Sequence, residues 1–139
     1  MKRLTGLIRL HRWKLEEKLR DLRELERLHD KLQTEVTNLE NELAREKAAA
    51  QESPEANYAF GRYVEGAIAQ QRKLKASIYE VISQIQDLEG SVAEAYRELK
   101  KYEMTETNQL RRQKRETHRR EQIELDEIAL NVHRRRTAN

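Results

Sequence analysis

Two apolar heptad runs of unequal length, parted by a Ser-Pro step, restrict what this chain can fold into more than any other feature. The first run carries Ile8, His11, Leu15, Lys18, Leu22, Leu25, His29, Leu32, Val36, Leu39 and Leu43 at the alternating three- and four-residue spacing of a coiled-coil seam. The second carries Phe60, Val64, Ala67, Gln71, Leu74, Ile78, Val81, Ile85, Leu88, Val92, Ala95, Leu99 and Tyr102, broken only at Gln71. Between them Ser53 is an N-cap candidate. Pro54 then takes the first helical position, where its missing N–H costs nothing. Past Tyr102 the same spacing lands on Glu106, Gln109, Gln113, Glu116 and Arg120, so the apolar seam stops.

These patterns predict an all-α fold: a long antiparallel two-helix coiled-coil hairpin with a single-helix C-terminal extension. The expected elements are a helix over 7–50, a turn at 51–53, a helix over 54–120 or longer, and a terminal cassette at 121–136, all in one elongated domain covering 1–139. If the chain reverses near residue 52, mirror counting places Tyr102 opposite Lys2, and the second helix loses its seam where the first ends. Composition agrees. With 38% charged and 5% aromatic residues, four Gly and one Pro, the chain has neither the turn chemistry of a sheet nor the apolar content of a globular core.

The formal net charge of +3 conceals a gradient. Residues 1–14 contain Lys2, Arg3, Arg9, Arg12 and Lys14 and no acid. Residues 111–120, RRQKRETHRR, set Arg111, Arg112, Lys114, Arg115, Arg119 and Arg120 against Glu116. Around the turn, Glu35, Glu40, Glu42, Glu46, Glu52 and Glu55 outnumber Arg45 and Lys47. Opposite charge at the two ends of a hairpin implies two different partners, since charge complementarity sets orientation and encounter rate; the plainer reading is a set of solvated helix faces.

Residue types suited to chemistry are sparse. Gly6, Gly61, Gly66 and Gly90 are isolated and no phosphate-binding Gly-Lys-Ser/Thr occurs. Glu26 and His29 form a single Glu-x-x-His, whereas a di-metal carboxylate site needs two such pairs and two further Glu. His11 and His29 therefore read as polar seam residues that set register. The absence of cysteine excludes disulfides, no apolar run approaches the ~20 residues of a membrane span, and the charged N-terminal segment lacks the apolar stretch of a signal peptide. The expectation is a non-catalytic cytoplasmic chain without cofactor, metal or small-molecule substrate.

Three features suggest binding surfaces. Trp13 falls on the face opposite the seam, flanked by Leu7 and Leu10, where an exposed indole suits an interface anchor; heptad drift would instead turn it into the seam. Tyr58 and Tyr63 lie off the seam near the turn, while Phe60 caps it; they form either a contact surface or a lock on the hairpin end. In the cassette IELDEIALNVHRRR, Leu125, Ile128 and Val132 share a face that has no partner within the chain.

The segments LIRLHRWKLEEKLRDLRELE at 7–26, RELKKYE at 97–103 and RREQIELDEIAL at 119–130 resemble the flagellar export protein FliJ family, and the similarity extends over nearly the whole chain. The resemblance implies a coiled-coil component of the bacterial type III flagellar export apparatus. Such a protein would be stalk-like, entering the ring of the export ATPase, contacting the membrane export gate and serving export chaperones, in the cytoplasm and peripheral to the inner membrane at the flagellar base. On that basis the ATPase side would hold Arg9, Arg12, Trp13, Arg111, Arg112, Arg115, Arg119, Arg120, Leu125 and Ile128, and the gate side Tyr58 and Tyr63. No gap-free motif anchors individual family contacts. Two other readings stand beside it: nucleic-acid binding through RRQKRETHRR, which Glu121, Glu124, Asp126 and Glu127 immediately downstream oppose, and a generic coiled-coil scaffold.

Overall fold

The computed structural model describes residues 2–138, which form two long helices and, among the described residues, no strand: α1 (Lys2–Ala50) and α2 (Pro54–Ala138). This arrangement is compatible with a helical hairpin. The Ser53 side chain accepts a hydrogen bond from the Ala56 N–H at 3.1 Å, which caps α2 at its third amide, and Glu55 places negative charge in the first turn. At the end of α1, tight bonds from Gln51 N–H to the Ala48 carbonyl and from Glu52 N–H to Ala49 close the last turn, with Lys47 beside the exposed carbonyls. The connection between α1 and α2 needs no left-handed residue: none of the described residues has positive φ.

α1 begins at Lys2, ahead of the expected residue 7. Gly6 disfavours helix, but the helix carries through it, with Leu4 half-buried one turn before the buried Ile8.

Two compact units divide the chain. The first comprises 14–95. Its buried residues are Val36, Ala50, Ala67, Leu74 and Val81, with the other seam residues of this stretch half-buried. Lys18, a polar break in the seam, is accommodated because its Nζ donates to Ser91 Oγ at 2.7 Å, so the ammonium keeps a partner while its stem packs. His29 is half-buried, 3.3 Å from the Asp30 carboxylate.

The second unit comprises 2–13 together with 96–138. Ile8 and Leu99 are buried, the His11 ring stacks on Tyr102 with centroids 4.8 Å apart, and Arg12 pairs with Glu103 at 3.5 Å. Mirror counting from the turn is thus corrected: Tyr102 faces His11, not Lys2. The stagger is set by which side chains interlock, here two flat rings, and not by the number of residues back to the turn. Half-burial on α2 reaches Glu106, and every described residue from Thr107 to Ala138 is exposed.

Candidate interaction surfaces

The basic residues expected to bind a partner divide by how they are engaged. Arg12 is held by Glu103, which also receives Lys100 Nζ at 3.3 Å; that hydrogen bond and charge push the Lys100 pKa up. Arg119 and Arg120 both reach the Glu116 carboxylate, at 3.3 and 3.5 Å. Arg9, Arg111, Arg112 and Arg115 are exposed and make no ion pair among the described residues. The cost of recruiting them to an external anion is correspondingly low, because no internal pair has to be broken.

Trp13 is 59% exposed, with Leu7 and Leu10 exposed beside it. It lies on the outward stripe and not in the seam, which disposes of the heptad-drift alternative for this residue. Leu125 and Ile128 are 60% and 58% exposed, in the stretch of α2 from Thr107 to Ala138 where every described residue is exposed. The extension therefore combines unpaired guanidinium groups with uncovered apolar side chains.

The two tyrosines near the turn differ. Tyr58 is exposed, with the Arg62 guanidinium 6.0 Å from its ring centre. Tyr63, off the seam by spacing and open to either a contact or a locking role, is half-buried in a shallow depression it shares with Leu39, Glu42, Arg62, Gly66 and Ala67, and its hydroxyl oxygen is occluded beside the Glu42 carboxylate without a hydrogen bond of good geometry among the described residues. Burial first, and then the neighbouring Glu42 carboxylate, push the Tyr63 pKa up. A seam pattern does not register such a residue, because a large ring at a flanking position folds over the groove between two helices. Tyr63 acts as a packing residue. An occluded hydroxyl without a partner is a cost, so Tyr63→Phe should melt no lower than the parent chain and slightly higher. Since the folded pKa is raised, Tyr63 holds its proton more tightly in the folded state. Its contribution is complete below the ordinary tyrosine pKa and falls away as the pH climbs through the folded value. Melting curves on both variants across the alkaline range check this; a clear loss of stability in Tyr63→Phe would show that the hydroxyl contributes favourably.

Sequence reasoning passed over Tyr79, 78% exposed, and Tyr96, which is 51% exposed and carries Lys100 Nζ 5.4 Å from its ring centre. The signal was present. Each directly follows a seam residue, Ile78 and Ala95, and so must point away from the packed face.

Among the described residues, no three His, Cys, Asp or Glu side chains gather as a metal site, and no helix is long and apolar enough to cross a membrane. No family profile, curated protein or solved structure matches this chain.

Proposed function

We propose that this chain is an antiparallel coiled-coil hairpin with a single-helix extension, and that it works as a non-catalytic, stalk-like component of the flagellar type III export apparatus, engaging the export ATPase and linking it to the export gate and chaperones at the cytoplasmic face of the inner membrane. The observation that carries the reading is the extension from Thr107 to Ala138, exposed along its whole length, with a basic stretch followed by an uncovered apolar face. A helix of that kind gains stability by docking on another protein. The cross-helix contacts of Lys18 with Ser91 and of His11 with Tyr102 support the antiparallel pairing. The sequence resemblance supports the export assignment. On this reading Arg9, Arg12, Trp13, the arginines of 111–120, Leu125 and Ile128 meet the ATPase, and Tyr58 belongs to the gate side.

Trp13 provides the test. As the only tryptophan it reports on one site. In the isolated protein its emission should be that of a largely hydrated indole, shifting to the blue when the export ATPase is added. Trp13→Ala should leave melting nearly unchanged, because little intramolecular burial is lost, and should weaken ATPase binding about thirtyfold, the ~2 kcal/mol typical of an aromatic anchor. Unaltered emission and affinity would remove Trp13 from the interface. Retention of duplex DNA with a steep salt dependence, in place of ATPase binding, would favour the nucleic-acid reading.

A further inference from the structure

The uncovered face of the extension is not a continuation of the hairpin seam. That seam would pass through Glu106, Gln109 and Gln113, whereas Leu110 and Ile128 lie an integral number of turns apart on another side of the helix. Between them the three- and four-residue spacing passes through Lys114, Thr117, Glu121 and Leu125, and then reaches Ile128 and Val132. Leu110, Leu125, Ile128 and Val132 are 45%, 60%, 58% and 46% exposed. Leu110, Lys114, Thr117, His118 and Glu121, with Gln113 at its edge, line an open depression of about 390 Å³ along this face.

Charge along the stripe is self-complementary. The basic stretch 111–120 is followed directly by Glu121, Glu124, Asp126 and Glu127. A second copy laid antiparallel about a two-fold axis between Thr117 and His118 brings Lys114 opposite Glu121, Leu110 opposite Leu125 and Thr107 opposite Ile128, each pairing occurring twice. Arg111 then flanks Glu124 of the second copy. A parallel in-register pair would set Lys114 against Lys114 and Glu121 against Glu121, so charge selects the antiparallel form. Neither Lys114 nor Glu121 makes an ion pair within the chain among the described residues, so both are free to form one between chains.

The geometry points to the extension as a self-association surface: two copies of this chain pair antiparallel through Thr107–Ile128, with reciprocal Lys114 to Glu121 ion pairs at the centre fixing the register. The overlap runs about 33 Å along the helices at ~1.5 Å per residue. Two leucine layers with charged residues between them make a weak, salt-sensitive dimer that forms only at elevated protein concentration. The inference does not rest on the export reading. It requires that self-pairing and any other occupant of this face compete.

Sedimentation equilibrium of the full chain, from a few to several hundred micromolar in low salt, tests it. The parent chain should approach the dimer mass at the upper end. Lys114→Glu alone and Glu121→Lys alone should each weaken association about tenfold or more, since each replaces two attractive pairs by two repulsive ones. The double variant should recover parental association, and so should an equimolar mixture of the two single variants. All these substitutions lie on an exposed helix, so helicity by circular dichroism should be unchanged in each. A chain that stays monomeric throughout, or a Lys114→Glu chain that associates as tightly as the parent, would overturn the proposal. So would a monomeric chain in which Lys114→Glu weakens only the capture of export ATPase, because the face would then belong to that partner.

Discussion

Leu74→Asp should abolish the cooperative melting of residues 14–95, whereas Leu125→Asp should leave it unchanged. Leu74 is only 7% exposed and belongs to a small set of buried apolar side chains in that unit, while Leu125 is 60% exposed on the extension. Truncating a buried leucine to alanine costs about 2 to 5 kcal/mol, and a carboxylate at the same place adds a desolvation penalty of several more. Small domains hold about 5 to 15 kcal/mol in all. A seam one side chain wide has no second layer to absorb the loss. At position 125 water already covers most of the side chain, so the aspartate is solvated and only a few tenths of a kcal/mol of helix propensity change. Thermal melts followed by far-UV circular dichroism distinguish the two, and a Leu74→Asp chain that melts like its parent would show that α1 and α2 do not bury this residue against each other.

On the proposed stalk reading, reversing Arg112, Arg115 and Arg119 together to Glu should weaken binding to an export ATPase about a hundredfold while leaving helicity intact. Each lost and inverted contact at a partly exposed rim costs on the order of 1 kcal/mol, so three amount to about 3 kcal/mol. The loss should lie largely in the association rate and shrink as salt rises. Among the described residues Arg112 and Arg115 have no ion-pair partner to surrender, while Arg119 gives up a 3.3 Å pair with Glu116 whose helix contribution is a few tenths of a kcal/mol. Binding kinetics at two ionic strengths supply the measurement. Unchanged kinetics would remove this stretch from the proposed ATPase contact and leave the proposal resting on Trp13 and Arg9.

The seam was legible in the sequence because each of its determinants is local. Every seam position from Ile8 to Leu43 and from Phe60 to Tyr102 is buried or half-buried, including the polar breaks His11, Lys18, His29 and Gln71. A spacing of three and four residues fixes which side of a helix a residue occupies, whatever it packs against. The cap was equally local, since Ser53 and the amide of Ala56 are three residues apart. The outward position of Trp13 and the bare face of Leu125 and Ile128 followed from the same periodicity.

What the sequence could not give was stagger. Counting back from the turn put Tyr102 against Lys2, whereas the ring of His11 occupies that place. Heptads specify a face but not how far one helix slides along the other; that is decided by the interlocking of particular side chains across the groove. For the same reason the sequence could not show that Lys18 reaches Ser91, or that Tyr63 folds inward and strands its hydroxyl. Charge order along 111–127 is a property of the chain, but whether those charges are already paired is a property of the structure. Periodicity and charge thus fixed the helices, their faces and the candidate surfaces, while the tertiary contacts alone determined the register and separated free arginines from engaged ones, because both depend on distances between residues far apart in the chain.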